Sequence, residues 1–218
     1  AVALVFAKVR RKPTVNAFAR MRFPAASFTA FTLLYQGTAY SSFAALLGDS
    51  GSAAQDKVIG ILGVVLCVLA PLVAPFFLLR GTWAVTFVRY RHVFARVPKT
   101  LRQLVLPTDF YDSSKSVDPD RIVPRFSTFF TSLRKGVHPL ALLIPYAKAF
   151  IVALVVALPA GSLTCTAKFS IIGCLHIVVA LFILVRRPSR VAIENFFAFL
   201  MNAATAALCF GSVRDELG

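Results

Sequence analysis

The sequence predicts an all-α fold: a polytopic transmembrane helical bundle of about five spans, with interfacial helices in one long inner loop. Three observations carry this prediction. Hydrophobic residues make up 58% of the 218 and charged residues only 15%, whereas soluble domains run at about 45–50% and about 25%. Mean hydropathy is +0.75. The apolar residues also gather in runs near 20 long, and such a run crosses a roughly 30 Å hydrocarbon core at a rise of about 1.5 Å per residue. A soluble chain of 23.7 kDa would need an unusually large core to hide so much apolar surface.

The elements follow in order. Residues 1–23 are a basic inner segment in which AVALVFA runs into KVRRK. A signal peptide carries its charges ahead of its apolar stretch. The reverse order here reads as the end of a preceding helix, so the chain is expected to be a piece of something longer. Residues 24–79 form a first helical hairpin. Its first span, 24–47, is rich in Ser, Thr, Ala and Gly, which let helices approach closely. Its second, 58–79, is continuously apolar apart from Pro71 and Pro75. A proline inside a spanning helix is tolerated when neighbours satisfy the carbonyl it frees.

Residues 80–137 are polar and separate the hairpin from three further spans within 138–211. The start of this loop, TWAVTFVRYRHVFARV, mixes aromatics with arginines and reads as an interfacial amphipathic helix. Its middle, LPTDFYDSSKSVDPDRIVP, reads as loop. Its end, RFSTFFTSLRKG, reads as a second interfacial helix. The third span covers 140–160 and is interrupted by Pro145 and Lys148, the fourth covers 169–185, and the fifth covers 191–210. Residues 212–218 are left as an outer tail.

Charge sets the expected topology. With five alternating spans, the N-terminal segment, the long loop and the RRPSR turn share one face with twenty basic residues, against three on the other face. Such a bias marks the cytoplasmic side. Arg186, Arg187 and Arg190 of the turn therefore read as a basic inner turn in reach of anionic lipid headgroups. They do not read as a nucleic-acid patch. Membrane lipids are the expected partners, together with other helices of a larger chain or complex, and no nucleic acid is expected.

Polar residues inside spans are the candidate sites. Lys148 lies about 12 Å into the third span. It is either functional or, as the plainer reading has it, snorkels to an interfacial belt beside Tyr146. His176 sits near the middle of the fourth span and reads first as a neutral imidazole bonded to a neighbouring helix, with proton relay as the alternative. Glu194 complements the N-terminus of the fifth helix and pairs with Arg187 or Arg190. Asn195 and Asn202, seven residues apart, share a helix face and can hydrogen-bond across the bundle. Cys165 in the outer loop and Cys209 near the outer end of the fifth span are a candidate disulfide. No P-loop, nucleophile elbow or zinc motif is present in the sequence, so no enzyme, metal site or cofactor is expected.

The stretch FILVRRPSRVAIENFFAFLMNA, through Arg187, Pro188, Arg190 and Asn195, resembles the C-terminal multi-spanning membrane region of large eukaryotic surface proteins. Trypanosomatid dispersed-gene-family proteins and TRP-like polytopic proteins are examples. The resemblance covers about the last third of the chain and implies an anchor for a large ectodomain encoded upstream.

Three functions are therefore expected in turn. The first is a non-catalytic module that anchors or scaffolds a larger membrane protein or complex. The second is a channel or transporter module with a polar path near Lys148 and His176. The third is an accessory subunit of an organellar inner-membrane complex. The plasma membrane is the favoured location. One geometric question separates the first two: whether Lys148 and His176 share an interior polar cavity, or face lipid and the interface.

Overall fold

The computed structural model describes residues 25–48, 54–79, 86–89, 109–112, 137–159, 161–189 and 191–217. The basic segment 1–23, most of the predicted inner loop with its second interfacial helix, and Arg190 lie outside the described residues.

Among the described residues five α-helices carry the fold: α1 (Ala25–Leu47), α2 (Ala54–Leu79), α3 (Ile144–Ala157), α4 (Cys165–Arg186) and α5 (Ala192–Leu217). Four segments of the described residues are long and apolar enough to cross a membrane: Ala54–Val73, Leu140–Ala157, Cys165–Arg186 and Ala192–Arg214. The large apolar side chains on these helices point outward in numbers no water-soluble surface tolerates; Val185 is 76% exposed and Leu208 73%. The chain is an integral membrane protein. Helix α1 forms over almost the span predicted for it, but its Ser, Thr, Tyr and Gln residues leave it outside the apolar set.

Several boundaries differ from the prediction, each for a local reason. Pro145 does not interrupt the third span. It stands in the first turn of α3, where its missing N–H has no partner to lose. A 3-10 turn, Pro139–Leu143, leads into it, and its first N–H, from Leu140, donates to His138 Nδ1 at 3.3 Å. Helix α4 begins at Cys165, earlier than predicted, because the Thr164 hydroxyl accepts from Ala167 N at 3.2 Å. The end of α3 is tied to that start, since Lys168 Nζ donates to Leu158 O at 2.6 Å. Residues 212–217, predicted as a tail, continue helix α5.

The predicted interfacial helix after α2 is also corrected. Its described residues form a strand, β1 (Thr86–Arg89), paired antiparallel with β2 (Asp109–Asp112), so that Phe87 faces Tyr111 and Val88 faces Phe110 in register. Strand β1 carries Thr86, Phe87 and Val88, and β2 carries Phe110 and Tyr111, residue types that favour an extended pair.

Helix α1 packs against both α2 and α3, α3 touches α4, and α4 pairs with α5 over the longest contact. The buried cluster of the first group is Tyr35, Ala39 and Phe43 of α1 with Cys67 of α2 and Ala153 of α3. Phe43 and Phe150 meet edge-on with ring centroids 4.9 Å apart. Small residues set the closest approach. A Cβ at Gly60 would lie 2.9 Å from Ser42 O and 2.8 Å from Leu46 Cγ, and a Cβ at Gly63 would collide with the Ser42 side chain. The close approach is made by two glycines of α2 against Ser42 of α1, whereas a Cβ at Gly37 of α1 would meet nothing within 4 Å. Gly60→Ala is expected to destabilise the bundle by about 1 kcal/mol, because the clash is with backbone that must shift. Equilibrium unfolding in mixed micelles reads this directly. An unchanged midpoint would mean that the helices separate freely there.

Helix α4 ends at Arg187, which takes a left-handed conformation with φ 45 and donates its N–H to Ile183 O at 2.9 Å. Glycine fits that geometry without the steric penalty an arginine carries. Arg187→Gly is therefore expected to raise stability by about 0.5–1 kcal/mol, as an increase in the unfolding midpoint of purified protein.

Candidate functional site

The centre of the bundle holds a polar cluster built from three helices. Lys148 Nζ on α3 donates to Asn202 Oδ1 on α5 at 3.0 Å. His176 Nδ1 on α4 lies 2.9 Å from the same oxygen. Asn202 Nδ2 donates to Ala198 O at 2.7 Å. That last bond fixes which end of the amide is oxygen. The oxygen can only accept, so His176 Nδ1 carries the hydrogen in this contact. Asn202 is 7% exposed, and Lys148 and His176 are half-buried.

Depth explains why these residues meet. The start of α3, the end of α4 and the start of α5 lie on one side of the bundle. From that side Lys148 is four residues, about 6 Å, into α3 and about 12 Å from the start of its apolar span at Leu140, while His176 and Asn202 are each about 15 Å along their helices. That is close to the middle of a roughly 30 Å core. Lys148 Nζ and His176 Nδ1 share this one amide oxygen.

This corrects the plainer reading of Lys148. Its amine turns to Asn202 on α5. The Tyr146 ring packs edge-on against Tyr35 with centroids 5.0 Å apart, and its hydroxyl shares a hydrogen bond of 2.8 Å with Thr32 Oγ1. For His176 the expected contact to a neighbouring helix is present, with Asn202 as the partner.

A cavity of about 600 Å³ opens beside the cluster. Lys148 and Asn202 stand on its wall, which is otherwise mainly apolar through residues such as Leu33, Leu142 and Phe182. Glu194 also lines it but is engaged elsewhere: its carboxylate accepts from the Ser189 hydroxyl. The predicted pairing of Glu194 with Arg187 is absent, and Arg190 lies outside the described residues. Glu194 precedes Asn202 by eight residues, about 12 Å along α5, so it does not neutralise Lys148. Among the described residues, the amine's hydrogen-bond partner is the neutral amide alone.

Asn195 takes a different role from Asn202. Buried at 8%, it donates from Nδ2 to Ser189 O at 2.7 Å and accepts at Oδ1 from Ser189 N at 2.9 Å. A second bond runs from Nδ2 to Val191 O at 3.1 Å. The side-chain amide thus pairs with the backbone of the RRPSR turn as a neighbouring strand would. Its reach is local to the turn and does not cross the bundle. Arg186 and Arg187 are exposed at the same end.

The candidate disulfide is not formed: Cys165 and Cys209 are both free, one exposed and one buried. Cys209 packs opposite Gly173, with its Cβ 3.3 Å from the position a Gly173 Cβ would take. Gly173 lies eight residues, about 12 Å, along α4 from Cys165, and a disulfide needs Cβ atoms about 3.5–4.5 Å apart. Among the described residues no three His, Cys, Asp or Glu side chains gather to hold a metal ion.

The fold and this cluster define an integral membrane protein with a polar centre inside a helical bundle. No protein-family model, no curated protein and no solved structure matches the chain.

Proposed function

We propose that this chain is a non-catalytic channel or transporter module whose polar path runs past Lys148, Asn202 and His176. One observation supports the reading: a cation, an amide and an imidazole from three helices converge at mid-span, two of them on the wall of one cavity. Ionisable groups at that depth are costly and mark pathways for solutes or protons. The anchoring reading expects Lys148 to reach the interface or lipid, and the bond to Asn202 weighs against it. We propose the plasma membrane as its location, with the RRPSR turn on the cytoplasmic face; the basic bias in the sequence supports this orientation. Helix α1 serves as a fifth span, supported by its packing against α2 and α3.

Cysteine accessibility tests the path. In a background with the four native cysteines replaced, Ala198→Cys on the cavity wall and Leu184→Cys on the outer surface are reconstituted into vesicles. A membrane-impermeant thiol reagent is expected to modify the first and spare the second. If position 198 stays unreactive from both sides, no aqueous path reaches the cluster, and the anchoring function takes precedence.

A further inference from the structure

The cavity also has a chemistry that selects its occupant. We propose that it binds an amphiphilic anion, with the anionic head on Lys148 Nζ and the hydrocarbon tail along the apolar wall. This deepens the transport reading and rests on the same cavity. Three features carry it. First, an ammonium has three donors, and among the described residues its hydrogen-bond partner is the Asn202 oxygen. Second, among the described residues no carboxylate pairs with it. Glu194, the acidic residue on the wall, is bound to Ser189 and sits about two helical turns from Asn202. An incoming anion therefore gains a charge-assisted bond in a medium of low dielectric, where such bonds are strongest. Third, the remaining wall is mainly aliphatic and aromatic, including Leu33, Leu142, Val179 and Phe182. That surface rewards a tail and gives a small hydrated anion nothing to replace its water. The volume, about 600 Å³, falls within the roughly 300–1,000 Å³ of small-molecule sites.

His176 has a supporting part. By donating to the same amide oxygen, it holds the Asn202 side chain in place and leaves the remaining lysine donors for the ligand. It is a positioning residue and does not itself line the cavity.

The anionic head could belong to a free fatty acid or to an anionic phospholipid, and the experiment separates these. The Ala198→Cys protein in phosphatidylcholine vesicles is treated with the thiol reagent alone, with dodecanoate, with dodecanol and with dodecyltrimethylammonium. Dodecanoate near saturation is expected to slow labelling by about tenfold, while the alcohol and the cation leave it nearly unchanged. The slowing should vanish with Lys148→Met and persist with Lys148→Arg. Slow labelling only in vesicles containing phosphatidylglycerol identifies a lipid as the occupant and supports the same site chemistry. Equal protection by all three amphiphiles overturns the proposal, as does protection by none. In either case a reactive position 198 leaves the transport path standing. Should position 198 prove unreactive, the Tm of the protein with native residues at 148 and 198 in phosphatidylcholine nanodiscs decides the matter. A rise with dodecanoate but not with dodecyltrimethylammonium supports the site, and equal responses reject it.

Discussion

Asn202→Leu is expected to destabilise the protein by about 2–4 kcal/mol, the largest effect of any single change considered. The substitution keeps the branched shape of the side chain but removes the one oxygen that both Lys148 Nζ and His176 Nδ1 reach. A buried donor left without a partner costs about 1–3 kcal/mol, and more when it is charged. Two donors lose their acceptor at once here, around a side chain only 7% exposed. The effect should also be strongly non-additive. Adding Lys148→Met removes one of the stranded groups, so the double variant should recover roughly half of the loss. Equilibrium unfolding in mixed micelles, with the four proteins of the cycle measured together, gives the coupling. Additive single effects would show that the three side chains do not act as a unit.

Tyr35→Phe should cost about 1–2 kcal/mol, through a mechanism the sequence only outlines. Pro71 has no N–H, so the carbonyl four residues earlier, that of Cys67, loses its usual helical donor. The structure supplies a replacement: Tyr35 Oη on α1 donates to Cys67 O at 3.0 Å. Both residues belong to the buried cluster, with Tyr35 4% and Cys67 1% exposed. Removing the hydroxyl therefore leaves a carbonyl with no donor in an apolar interior. The check is a second substitution. Pro71→Ala restores the helical N–H, so Tyr35→Phe should be close to neutral in that background. If the tyrosine change costs the same with and without the proline, the hydroxyl is not compensating for Pro71.

The helices themselves were readable because membrane spans are written in long apolar runs, and lipid demands internally bonded backbone. The run beginning near Val58 and the one ending near Phe210 needed no tertiary information. Ends were less readable. Thr164 capping α4, Lys168 reaching Leu158 O and Pro145 opening α3 are choices between local alternatives, each made by a single hydrogen bond or its absence. The strand pair at Thr86–Arg89 was missed because a short stretch mixing aromatics and arginines fits a helix face and a strand alike. The candidate cluster was half legible. Lys148, His176 and Asn202 all stood out as polar residues within spans. Counting residues from the shared side would have placed them at similar depth. Their association is not legible in the sequence because one neutral amide accepts from both groups, a pairing set by helix rotation.

The sequence by itself determined that this chain lives in a membrane, which segments form its helices, and which polar residues are carried inside them. Those properties follow from composition and run length, because transfer between water and hydrocarbon depends on the residues of each segment taken alone. Only the tertiary structure decided which polar group answers which. Tyr35 meets the carbonyl freed by Pro71, and Asn202 serves both Lys148 and His176. Asn195 turns back to hold the RRPSR loop, and Cys209 sits opposite Gly173, out of reach of Cys165. These pairings depend on helix rotation and crossing, which are set by packing between segments far apart in the chain. Hydrogen bonds at that range reward positions within a few tenths of an ångström, a resolution that one-dimensional patterns of hydrophobicity do not carry.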